Sequence, residues 1–146
     1  MVPYRRIIHA TDFSSSALPA LRQAVALARR WRACVILRHV MTPPSPFVSE
    51  GLPPSSSDQL LAHAHRETKR HLTALLSRVR RKGVQASAVL AEGVPAEEVL
   101  RVARRQRADL LVLGTHGRTG LRRALMGSVA ERIVSQARCP VLTVRS

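Results

Sequence analysis

Five short apolar runs recur along this chain, and each is separated from the next by a stretch whose apolar residues return every three or four positions. The runs are Arg6 to Ala10, Ala33 to Val40, Val84 to Ala91, Leu110 to Leu113 and Val141 to Val144. Short apolar runs read as buried strands, and the intervening period reads as amphipathic helix. Five strands alternating with helices argue for an α/β fold: a single open five-stranded parallel sheet with helices on both faces.

The helical stretches carry their own signals. In the first, Ala17, Leu21, Ala24, Val25 and Ala28 share a face, the cluster Ser14-Ser15-Ser16 is placed to cap it, and Pro19 falls in the first turn, where its missing N–H has no intrahelical partner. Residues 41–57 hold five prolines and a triple serine, which predicts a mobile surface loop. Such a loop is either a lid over a ligand or a solvated connection, and its undistinguished chemistry favours the second. Asp58 to about Arg81 reads as a long helix with Leu61, Ala64, Thr68, Leu72, Leu75, Leu76 and Val79 as its stripe, ended by Gly83. The next helix has Pro95 near its start, Glu97 and Glu98 in its first turn, arginines at its end, and Ala96, Val99, Leu100 and Ala103 on its buried face. The last buries Ala130, Ile133, Val134 and Ala137.

At 146 residues the chain has the length of one domain, 1–146, able to bury a core without disulfides or metal. Hydrophobic residues are 45% but aromatics only 3%, so that core is aliphatic. Cys34 and Cys139 lie in apolar runs with no CxxC, which reads as two buried free thiols. His63, His65 and His71 lack the spacing of a helical metal pair and sit among arginines, so they read as solvated side chains. No signal-peptide or membrane-spanning pattern is present, which points to a cytoplasmic location and no membrane partner.

The net charge is +15, from 24 basic against 9 acidic residues. That attracts polyanions at low salt. The arginines are spread over nearly every element and no aromatic series offers a stacking platform, so specific nucleic-acid recognition is the weaker reading.

The fourth run leads into GTHGRTGLRRALMGS, Gly114 to Ser128, and then into helix. Glycines at a strand end allow unusual backbone conformations and close approach to a ligand. The helix that follows offers free N–H groups and its positive dipole end to a phosphate, with the Ser128 hydroxyl as a further donor. Ser128 and Glu131 equally fit a capping box, in which the hydroxyl serves only the helix.

Gly114, Gly117, Gly127 and Ser128 stand in the spacing G-x2-G-x9-G-S, which resembles the nucleotide-binding signature of the universal stress protein family. The resemblance extends to Ala10-Thr11-Asp12-Phe13-Ser14, His39-Val40, Glu92-Gly93-Val94-Pro95 and Cys139-Pro140-Val141-Leu142, covering nearly the whole chain in order. It implies a Rossmann-like fold of the adenine nucleotide alpha hydrolase type, a homodimer, and ATP as ligand. Mg²⁺ would travel with the nucleotide rather than in a prebuilt cage.

Ligands of open α/β sheets sit beyond the carboxyl ends of the strands, where strand order reverses. With the first and fourth strands adjacent there, as the resemblance implies, Asp12 and Gly114 face one crevice. Asp12 then accepts from a ribose or base, although an Asx turn is its plainer role. The resemblance carries Thr11 and the backbone of Val40 to the base end of the pocket. Gly114, His116, Gly117 and Arg118 go to the phosphate end, with Gly127, Ser128 and Val129 at the helix start. Arg118, with Arg122 and Arg123, is also consistent with a solvated basic loop, and His116 with an exposed loop histidine. No Walker sequence and no second carboxylate for a water or metal are present, so the expectation is a regulatory nucleotide binder with little or no hydrolysis. A slow ATPase and a nucleic-acid-associated basic protein are the alternatives. The apolar last strand, with Val141, Leu142 and Val144, is the expected dimer seam.

Overall fold

The computed structural model describes residues 3–43, 51, 53–116 and 126–146. Its strands are β1 (Arg6–Ala10), β2 (Cys34–Met41), β3 (Ala86–Glu92), β4 (Leu110–Gly114) and β5 (Val141–Val144). Its helices are α1 (Leu18–Trp31), α2 (Pro54–Arg80), α3 (Pro95–Arg105) and α4 (Ser128–Gln136), and a 3-10 turn, Ser15–Ala17, precedes α1. All strand pairs are parallel, in the order β3-β2-β1-β4-β5. This is the expected five-stranded sheet with helices on both faces.

Side-chain alternation divides the core in two. Ile7, Val35, Leu37, Leu110 and Val112 face Ala20, Leu21, Ala24 and Val25 of α1 and Leu72, Leu75 and Val79 of α2. Ile8, Ile36, Leu111 and Leu113 face Ala96, Val99, Leu100 and Ala103 of α3 and Ala130 and Ile133 of α4. Both faces are aliphatic, as the scarcity of aromatic residues requires.

Several local expectations are corrected. Helix α2 begins at Pro54, inside the stretch 41–57 expected to be loop, and β2 runs on to Met41. Proline suits the first helical position, so the same residue that breaks a helix can open one. Residues 44–50 and 52 of that stretch lie outside the described residues. Only Leu72, Leu75 and Val79 of the α2 stripe are buried, while Leu61 and Ala64 are exposed. The helix has 27 residues, about 40 Å, whereas the longest strand has 8, about 26 Å, so its first half overshoots the sheet. Val134, expected to be buried, is 45% exposed near the end of α4, and Ala137 is half-buried past it. Cys34 and Cys139 are free thiols but half-buried rather than fully buried. Among the described residues, no helix is long and apolar enough to cross a membrane.

Candidate functional site

The order reverses between β1 and β4, and the loops leaving these two strands bound the candidate site. In the first loop, the Thr11 N–H donates to Arg38 O at 2.9 Å, and the His39 ring donates from Nδ1 to Thr11 O at 2.8 Å. Thr11 Oγ1 accepts the Phe13 N–H at 3.0 Å. Asp12 Oδ1 accepts both the Ser14 N–H, at 2.9 Å, and the Ser14 hydroxyl, at 2.5 Å. The Asx turn is therefore formed, and it holds the Asp12 carboxylate in place. It also explains why Ser14 makes no side-chain cap: its hydroxyl already serves Asp12. Ala17, not a serine, is the N-cap of α1. Phe13 occupies the left-handed region at φ 63°, with its ring stacked on His39 at 4.3 Å.

In the second loop, neither Gly114 nor Gly127 has positive φ, contrary to one reason for expecting glycine there. Close approach is the operative one. A Cβ on Gly114 would stand 3.0 Å from Ser16 O, and a Cβ on Gly127 would stand 3.2 Å from Thr115 O. In both cases the neighbour is the chain's own backbone. Gly114 thus lets the 3-10 turn before α1 sit against the end of β4, drawing the two loops together.

Gly127 is the N-cap of α4, and its N–H donates to Thr115 O at 2.7 Å. Ser128 is the first helical residue, and among the described residues no side-chain capping bond is made at this end, so the capping box with Glu131 does not form. The reason is register: the capping hydroxyl belongs on the N-cap residue, and here that residue is glycine. Helix α4 presents its first-turn N–H groups and dipole at the same end of the sheet as Asp12. Thr115 is buried, with its N–H on Val144 O at 3.1 Å and its Oγ1 3.0 Å from His116 Nδ1. His116, left open between the phosphate end and an exposed loop position, is half-buried, and its enclosed Nε2 has no partner among the described residues. Val40 is half-buried among the residues facing α3 and α4. Gly117, Arg118, Arg122 and Arg123 lie outside the described residues.

Sequence reasoning passed over two buried polar residues, Arg38 and His9. Arg38, 4% exposed, donates from Nη2 to Glu98 Oε2 at 3.0 Å across the sheet–α3 interface, and Arg101 also pairs with Glu98. The Arg101 hydrogen bond, before all else, holds the Glu98 carboxyl below its ordinary range. His9 is fully buried in β1, with Nδ1 3.0 Å from Val112 O, and burial lowers its pKa to about 4. His71 is exposed, as expected, and its ring also packs edge-on against Phe13 at 5.7 Å. The alternation of β1 and β2 was the available signal, since it places His9 beside Ile7 and Arg38 beside Ile36. Among the described residues, no group of three or more His, Cys, Asp or Glu is arranged to hold a metal.

Residues 3–145 match the family model described as "Universal stress protein family". The chain belongs to that family. Universal stress protein MJ0531 of Methanocaldococcus jannaschii is 38% identical over 143 residues, covering 97% of this chain and 82% of the relative. The solved structure of MJ0577, a universal stress protein of the same organism, superposes with a TM-score of 0.86 at 28% identity, covering 99% of this chain and 98% of the other. A universal stress protein from Archaeoglobus fulgidus in complex with dAMP has a TM-score of 0.69 at 23% identity, covering 99% of this chain and 100% of the other. At that identity the likeness speaks for the fold.

Proposed function

We propose that this universal stress protein is an ATP-binding regulatory module in which nucleotide occupancy alters conformation or association, with little or no intrinsic hydrolysis. The observation that carries the reading is the meeting, at the reversal of strand order, of the Asp12 carboxylate fixed by its turn and the uncapped N-terminus of α4. A carboxylate beside one wall and a helix N-terminus at the other suit opposite ends of a nucleotide, the first accepting from ribose or base and the second binding phosphate. That a family member of the same fold was solved with dAMP agrees with an adenine nucleotide as the ligand class.

In this reading Asp12, Thr11 and the Val40 backbone take the nucleoside. Gly114, His116, Ser128 and Val129 surround the phosphates together with Gly127, and Gly117 and Arg118 join them on the strength of the sequence signature. Mg²⁺ arrives on the phosphates. The unit is a single domain over 1–146, working in the cytoplasm as a homodimer through β5, an edge strand that among the described residues pairs only with β4.

Calorimetry of nucleotide-stripped protein with Mg-ATP, at salt high enough to suppress generic polyanion attachment, tests the proposal. Pyrophosphate is the control titrant. Saturable binding near one ATP per chain, well above the pyrophosphate response, is expected. No ATP binding, or an equal pyrophosphate response, would discard the reading.

A further inference from the structure

A cavity of about 290 Å³ opens where α3 and α4 end, beside the residues that lead into β4 and β5. It lies at the amino ends of these strands, whereas the Asp12 turn follows the carboxyl end of β1. Helix α3 closes here in a Schellman motif: the Ala108 N–H donates to Ala103 O at 2.9 Å and the Arg107 N–H to Arg104 O at 3.1 Å. The apolar contact that accompanies such a helix end falls on Ala103 and Ala108, which carry only methyl groups. These two and Leu100 line the cavity, because side chains so short leave the space beside α4 unfilled.

The charge around the cavity is one-sided. Arg104, Arg107 and Arg138 border it and are exposed, and among the described residues none of them makes an ion pair. They are not needed as helix caps either. Backbone N–H groups already serve Ala103 O and Arg104 O through the motif, and the Ala137 N–H serves Ile133 O at 2.9 Å. No acidic residue lines the cavity among the described residues. The nearby Asp109 is engaged elsewhere, its Oδ2 accepting the Arg5 and Arg6 N–H groups at 2.9 and 2.8 Å. Burial, then the Asp109 charge, push the Cys139 thiol up, so this lining group stays neutral. Like charges gathered at one rim repel, and an anion among them relieves the repulsion.

We propose that this cavity is a second ligand site, for a small organic anion: an apolar ring or short chain seated against Leu100, Ala103 and Ala108, with one carboxylate among Arg104, Arg107 and Arg138. The apolar body supplies the binding area, and the guanidinium forks match a carboxylate. A cavity of roughly 150 Å³ already accepts a benzene ring, so this one has room for a ring and its carboxylate. The site stands apart from the nucleotide reading and does not depend on it.

Benzoate is the probe, with benzyl alcohol as its neutral counterpart and acetate as an anion without the ring. Each is titrated without nucleotide into full-length protein carrying ¹³C-labelled alanine methyl groups. Benzoate is expected to shift the Ala103 and Ala108 methyl resonances saturably at one site per chain, at least about tenfold more tightly than either control. Arg107 stands at φ 49°, in the left-handed region that glycine favours, so Arg107→Gly leaves the melting temperature unchanged or raised. It nevertheless weakens benzoate at least about threefold, the scale of one exposed ion pair. Arg29→Gln, which removes a charge from the end of α1, leaves benzoate affinity unchanged. Methyl resonances unmoved by saturating benzoate overturn the proposal. So does equal affinity for benzyl alcohol or acetate, an undiminished affinity in Arg107→Gly, or a loss as large in Arg29→Gln.

Discussion

The two loops that flank the reversal of strand order solve opposite problems. The loop after β1 satisfies itself: Thr11 Oγ1, Asp12 Oδ1 and the Ser14 hydroxyl are bonded among neighbouring residues, and His39 and Arg38 O tie the loop to β2. The entry to α4 does the reverse, with glycine at the N-cap and, among the described residues, no side chain serving the helix end. A self-satisfied loop has a fixed shape before any ligand arrives, whereas an uncapped helix end keeps its donors for a guest. The difference teaches a division of labour in which one wall is rigid and the other is receptive.

The largest test falls beneath the rigid wall. His9 has its folded pKa lowered from 6.5 to about 4, so the folded state favours the neutral ring. Stability from that neutrality is fully present above pH 6.5 and is lost as pH falls towards 4. The Val112 hydrogen bond and, less, Asp12 oppose the loss by favouring the charged form. Urea unfolding should show wild type losing roughly 2–3 kcal/mol more than His9→Gln between pH 7.5 and 4.5, from about 1.4 kcal/mol per pKa unit. Equal losses would remove His9 from the account.

The receptive wall comes next. Gly127→Val adds a side chain 3.2 Å from Thr115 O at the helix entrance. Its ATP affinity by calorimetry should fall about a hundredfold, near 2.7 kcal/mol, with the circular dichroism of the sheet and helices retained. Asp12→Ala should act on both properties. The lost turn costs about 1 kcal/mol of stability, in the range of side-chain caps, and ATP binding weakens about tenfold. Ser128→Ala makes the sharpest contrast. With no cap to lose, its stability should stay within about 0.5 kcal/mol of wild type, while ATP binding weakens a few-fold. A drop in melting temperature as large as that of Asp12→Ala would end the distinction between the loops.

The strands were legible because buried parallel strands are apolar throughout, and the α3 face was legible because every third or fourth residue faces the sheet. The start of α2 was not, since Pro53, Pro54 and three serines have the composition of a loop and only the position of Pro54 makes it a helix opener. Ser128 was placed correctly at the head of α4, but one residue of register decided whether its hydroxyl caps the helix. Gly114 and Gly127 were marked as special for a partly mistaken reason: their neighbours Ser16 O and Thr115 O become visible only once the chain is folded. Arg38 and Glu98 are 60 residues apart, and no local pattern reports their pairing.

The strand order also fixes when a complete site can exist during folding. β1, β2 and β3 pair with their neighbours in sequence, but the His9–Val112 hydrogen bond at the centre of the sheet joins residues 103 apart. Such a contact closes a long loop and comes at a greater entropic cost than the local pairings. A chain still emerging from the ribosome can build β1 to β3 and the Asp12 turn, yet it has no α4 to set opposite. Any molecule that needs both walls therefore recognises only the finished chain, and by binding it favours completion of the whole fold rather than either half.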